Sequence, residues 1–258
     1  VDPDDWILPD YCLGLYNLQA AYSGRGLVIQ GMLCRRTDGT SLPSLSLPDR
    51  YLPFSSIGKS FAENNICEMG YAVSKIYARS IIEEFSIRFD ENIHCLEDLL
   101  FMYQYLLHCD YLVLNHMQNY VYVKHSFSLS HRIHSFESEY CCFVKYQQLL
   151  AEMMKVWKIP AGDMVVTVNS MLVPFRRALK SDYQPDRTIP REMRVKHLKR
   201  MISESRDVFL KYYHPVFKTD KLGKVLLGFN CYILYDFYIR LLFRLNIGPV
   251  FYGPKHMY

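Results

Sequence analysis

The 258-residue sequence has no C-x-x-C pair, and none of its eight cysteines stands at metal-finger spacing beside a histidine. This excludes the zinc-finger and thioredoxin-type signatures. Cys12, Cys34, Cys67, Cys95, Cys109, Cys141, Cys142 and Cys231 are scattered, as expected of buried thiols in a reducing compartment. Internal repeats and low-complexity tracts are missing. The N-terminus carries no secretory signal pattern. No run of about 20 apolar residues is uninterrupted. The most hydrophobic stretch, "KVLLGFNCYILYDFYIRLLFRLNIGPVF" (224–251), is broken by Asn230, Asp236, Arg240 and Arg244. It reads as a buried or interfacial helix, with Asp236 and Arg240 spaced to pair at i,i+4.

Half the residues are hydrophobic, with 21 Tyr and 15 Phe, enough for a sizeable core. The length suits one large domain or a domain with a helical appendage. Pattern and punctuation predict a helix over 9–23, a strand over 27–33, a proline-bearing loop over 35–53 and a short helix over 55–64. A strand or turn entering a helix follows within 71–89, with an extended piece at Ile87–Phe89. A helix is expected over 98–108, then strands over 111–115 and 120–125. Beyond about residue 131 the pattern is helical, broken near Pro160, 181–190 and Pro215. Mixed α/β followed by all-α implies a catalytic or binding domain at 1–132 and a helical extension at 133–258.

The net charge of +4 is uneven. Residues 131–258 hold 21 Lys+Arg against 11 Asp+Glu, whereas residues 1–130 hold 9 against 15. A basic half suits an anionic membrane, nucleic acid or a plain solvated surface. Its cations are spread along helices, as in "REMRVKHLKR", without a nucleic-acid-binding motif, so no nucleic-acid partner is expected. A basic, aromatic tail suits peripheral contact with a membrane; packing against the catalytic domain is the plainer reading.

Two acidic stretches carry chemistry. The chain opens "VDPDDWILPDY". If Val1 ends a buried strand, Asp2 and Asp4 project to one side and share a divalent cation with a ligand's phosphates. The same residues suit a turn, with Asp5 as a helix cap. In "IRFDENIHCLEDLLF", Glu97 and Asp98 precede an apolar helix. There a carboxylate caps the helix, serves as a general base, or does both.

Taken in order, "VDPDDWILPDY", "SKIYARSII", "FSIRFDENIHCLEDLLF" and "YVYVKHSFSLSHR" resemble the family-2 glycosyltransferases with a GT-A (Rossmann-like) mixed sheet, over roughly residues 1–132. The resemblance implies a metal-dependent, inverting hexosyltransferase. Its donor would be a nucleotide-sugar, and its acceptor a glycan or lipid-linked hydroxyl of bacterial surface polysaccharide. It further implies a cytoplasmic enzyme, at the inner face of the cell membrane if the tail makes contact. Asp2 and Asp4 match the ligands of Mn²⁺ or Mg²⁺ and donor, with Asp5 supporting. Asp98 matches the base and Glu97 its acceptor-side neighbour. Lys75 matches a lysine facing the donor phosphates, or is a surface lysine. His125 and His131 flank the region where some relatives place a metal-binding histidine. Two departures concern the acceptor pocket: Val73 stands where the family often has Trp, and Leu96 where it often has Gly. The family's opening strand and later D-D-G-S-x-D motif have no counterpart, so a truncated GT-A domain is expected. Such a fragment would bind nucleotide-sugar poorly and have little activity alone. The alternative is a non-catalytic interaction protein that keeps part of the fold.

Overall fold

The computed structural model describes residues 1–247 except 64, 65, 67, 68, 126–131, 160–164, 216 and 246. The chain forms two compact units. One comprises Val1–Glu91, Leu96–Ser128 and Gln147–Thr167, the other Asn92–Cys95, Leu129–Tyr146 and Val168–Tyr258.

The first unit is α/β. In chain order it contains β1 (Trp6–Ile7), α1 (Tyr11–Ala20), β2 (Gly26–Gln30), β3 (Met32–Arg36), β4 (Ser41–Leu45), β5 (Arg50–Pro53) and α2 (Phe54–Glu63). There follow β6 (Lys75–Tyr77), α3 (Arg79–Glu84), α4 (Glu97–Leu106), β7 (Tyr111–Asn115) and β8 (Tyr120–Lys124). Two mixed four-stranded sheets have the orders β1-β8-β3-β4 and β5-β7-β2-β6. Each centres on a parallel pair, β8 with β3 and β7 with β2, flanked by antiparallel strands. β2 and β7 are buried throughout, which explains their near-continuous apolar sequences.

The strand expected over 27–33 is two strands, separated at Gly31 where the chain passes from one sheet to the other. A Cβ there would lie 2.5 Å from the Leu45 carbonyl oxygen, so the approach requires glycine. The Gly31 N–H donates to the carbonyl of Asn115 at 3.1 Å, where β7 likewise ends. The expected loop over 35–53 instead contains β4 and β5. Both are edge strands, where Pro43 and Pro53 withhold no needed ladder N–H. Ile87–Phe89 forms no strand. Tyr11, Leu15, Val28, Met32, Tyr111, Val113 and Tyr120 form a buried cluster joining α1 to the sheets.

From Phe136 onward the described elements are all helical: α5 (Phe136–Trp157), α6 (Val165–Ser181), α7 (Arg191–Glu204), α8 (Arg206–Tyr212), α9 (Lys218–Gly228) and α10 (Tyr232–Arg244). The breaks at 181–190 and near Pro215 fall between helices, while Pro160 lies outside the described residues. An α/β fold with a helical C-terminal part is thus as expected.

The stretch 224–251 is not one helix. Asn230, at φ 58°, takes the left-handed conformation that asparagine tolerates and separates α9 from α10. Asp236 does not form an ion pair with Arg240. It faces inward and accepts from Arg194 Nε at 2.6 Å, Arg194 Nη2 at 2.9 Å and the Tyr183 hydroxyl at 3.1 Å. A bidentate guanidinium satisfies a buried carboxylate better than an exposed one-turn neighbour.

Candidate functional site

Asp98 lies in the first turn of α4, an apolar helix whose residues Leu99 to Tyr103 are buried. The residue before the helix, Leu96, has φ 61°. Leucine takes this left-handed conformation at a cost that glycine avoids. The Asp98 Oδ2 accepts a hydrogen bond from the Ala72 N–H at 3.2 Å. Burial raises the Asp98 pKa, and the charges of Glu97 and Asp2 push the same way; the Ala72 N–H and Lys75 oppose them. The result is a half-buried carboxylate with more proton affinity than usual, as a general base requires.

Lys75, the first residue of β6, is only 8 % exposed and is therefore not a surface lysine. Its ammonium sits 3.7 Å from the Tyr71 ring centre. It donates to the carbonyls of Tyr71 and Val73. Burial drives its pKa well down, with the Asp98 charge acting in the opposite direction. The preceding Ser74, at φ 59°, donates from Oγ to the carbonyls of Gln30 at 3.1 Å and Gly31 at 2.9 Å. That bond locks the turn carrying Lys75 to the end of β2.

The acidic N-terminal segment is a turn, closed by the Asp5 N–H donating to the Asp2 carbonyl at 3.1 Å. Val1 is 69 % exposed. Pro3 fixes one dihedral and favours the turn. Asp5 is committed elsewhere: its carboxylate accepts from the Val123 N–H at 2.8 Å and the Tyr120 hydroxyl at 2.7 Å. The Tyr120 oxygen in turn accepts from the Asp2 N–H at 3.2 Å. Asp5 thus anchors the turn to β8. Asp2 and Asp4 stay exposed, and Asp4 Oδ2 lies 2.8 Å from His125 Nε2.

Asp2, Glu97, Lys75 and Asp98 therefore share one electrostatic neighbourhood, though 96 positions separate the first from the last. His131 lies outside the described residues. Sequence reasoning missed Tyr120, Ser74 and the Ala72 N–H. The signal for Tyr120 was present in the sequence: strand alternation sets Tyr120 and Tyr122 on one face.

Among the described residues no group of three or more His, Cys, Asp or Glu side chains is arranged to hold a metal by itself. The donors at hand, two exposed carboxylates and the imidazole paired with Asp4, suit a divalent ion shared with ligand phosphates and water.

No protein-family model matches the sequence, and no curated protein matches it. In fold the chain is similar to the crystal structure of S. aureus TarS 1–349 in complex with UDP-GlcNAc, with TM-score 0.57 and 13 % identity over 95 % of this chain and 67 % of that one. Against the same TarS residues in complex with UDP, the TM-score is 0.55 with 14 % identity, over 96 % and 66 % of the two chains. Against TarS 1–349 alone it is 0.54 with 13 % identity. The chain spans about two thirds of the length of these structures. At such identity the likeness is one of fold.

Proposed function

We propose that the chain is the acid–base portion of an inverting, metal-dependent glycosyltransferase that moves a sugar from a nucleotide-sugar to a hydroxyl of a glycan or lipid-linked acceptor. The observation that carries the reading is Asp98: a half-buried carboxylate of raised pKa, beside Lys75, within the field of Asp2. The fold likeness to a protein crystallised with UDP and UDP-GlcNAc supports a nucleotide-sugar as the donor.

In this reading Asp98 removes the proton of the acceptor hydroxyl. The acceptor oxygen forms a bond to the anomeric carbon as the bond from that carbon to the diphosphate oxygen breaks. The nucleoside diphosphate leaves with the electron pair, and the configuration inverts. Asp2 and Asp4, with His125 beside Asp4, would hold a Mn²⁺ or Mg²⁺ ion, which when bound neutralises charge on the leaving diphosphate. Glu97 raises the basicity of Asp98 and faces the acceptor side. Lys75 offsets carboxylate charge from within the unit. Asp5 and Tyr120 position the turn.

Proton NMR of the product formed by the natural gene product with UDP-GlcNAc, Mn²⁺ and a polysaccharide acceptor tests the mechanism. An α-linked donor yielding a β-linked product is expected. Retention of configuration would contradict a single displacement with Asp98 as base.

A further inference from the structure

We infer that the outer face of the α9–α10 pair docks on an anionic lipid surface. This goes beyond the proposed reaction and rests on other residues. α10 repeats exposed apolar side chains at helical spacing: Ile233, Phe237 and Leu241, with Leu234 and Leu245 beside them. α9 adds Leu222 and Val225, and Phe229 follows its last turn. Phe229 is 77 % exposed and Phe237 65 %, although both are large aromatic side chains. Large apolar side chains left this exposed at helical spacing mark an interaction site.

The charges select the occupant. From Lys218 to Arg244 the acidic residues are Asp220 and Asp236, and both are buried in ion pairs. Asp220 lies 2.7 Å from Arg176 and 3.2 Å from Lys180, while Asp236 is held by Arg194. Lys218, Lys221, Arg240 and Arg244 are exposed, while Lys224 is half-buried and donates to the carbonyl of Leu210 in α8. Beside them Arg191 and Lys199 of α7 line a groove of about 600 Å³ with Ile233, Leu234 and Phe237. Apolar side chains interleaved with cations of one sign match acyl chains beneath phosphate headgroups. Long basic side chains keep their charges at headgroup level while their stems lie along apolar surface. A second copy of this chain fits poorly, since a two-fold contact would set the same cations against each other.

The helix lies on the surface and does not cross it. Its 13 residues extend about 20 Å, short of the roughly 30 Å hydrocarbon core. Among the described residues no helix is long and apolar enough to span.

Co-sedimentation of the full chain with vesicles tests the inference. Pelleting is expected with phosphatidylglycerol mixed into phosphatidylcholine, but not with phosphatidylcholine alone. The doubles Phe229→Ser/Phe237→Ser and Arg240→Gln/Arg244→Gln change only exposed positions and should fold. Each should weaken partitioning by on the order of tenfold or more. Unchanged pelleting of both doubles, or no pelleting of the parent chain, would overturn the inference. So would a concentration-dependent dimer in ultracentrifugation that the same doubles abolish. None of these outcomes bears on the chemistry at Asp98.

Discussion

The Asp98 carboxylate accepts a hydrogen bond from the backbone N–H of Ala72, 3.2 Å away and 26 residues earlier in the chain. That bond stabilises the charged form, yet burial and the neighbouring acids outweigh it and raise the pKa. The ionised side chain is thus disfavoured by its surroundings. With the folded pKa above the unfolded one, Asp98 favours folding below the unfolded pKa, and that contribution is lost as pH rises through the folded pKa. Asp98→Asn keeps an acceptor for Ala72 and removes the charge. It should raise the melting temperature at neutral pH, and the gain should vanish at pH below the usual carboxylate range. Calorimetric melting across pH checks the sign.

Leu96 carries the left-handed backbone that leads into α4. Leu96→Val places a β-branched residue in that conformation and should lower stability by about 1–2 kcal/mol. Leu96→Gly relieves the backbone while losing side-chain packing and should stay within about 1 kcal/mol of the parent chain. Urea denaturation of both variants distinguishes backbone strain from loss of a side chain.

Asp5 and Tyr120 hold the acidic turn against β8. Asp5→Ala should cost about 3 kcal/mol, because the Val123 N–H and the Tyr120 hydroxyl lose a charged acceptor. Tyr120→Phe should cost about 1 kcal/mol. In Asp4→Asn, by contrast, stability should change little while the Mn²⁺ concentration needed for half-maximal transfer rises by about tenfold or more. Metal titrations beside denaturation curves separate the anchoring residues from the ligand.

In the helical unit, Asp236 is buried against Arg194 and Tyr183. Burial pulls its pKa up, but the Arg194 hydrogen bonds and charge leave it below the usual value. Its contribution is present above the unfolded pKa and lost as pH falls through the folded one, so this pair weakens in acid. Asp236→Ala leaves Arg194 without its carboxylate and should cost about 3–5 kcal/mol, read from denaturant melts at neutral pH.

The elements legible in the sequence were those whose local pattern and tertiary environment agree. The apolar run Tyr111–Asn115 is a buried central strand, and Glu97–Leu106 is a helix buried on most sides. The segment 35–53 misled because Pro43 and Pro53 signal loops, whereas sheet edges accept them. Asp98 was legible because an acid ahead of an apolar helix is visible locally. The contact of Asp98 with Ala72, 26 residues earlier, and that of Asp5 with Tyr120, 115 residues later, were not, since both depend on tertiary folding rather than on local pattern. Asp236 was assigned a one-turn partner because sequence spacing shows Arg240 but conceals Arg194, 42 residues upstream.

The central claim is that Asp98 takes the acceptor proton. Transfer rate and donor affinity measured together in Asp98→Asn, in the natural gene product, test it most directly. Transfer should fall by about 10²–10⁴-fold, with the donor dissociation constant within about threefold of the parent value. Transfer retained within about tenfold, or a loss matched by an equal loss of donor binding, would contradict the assignment.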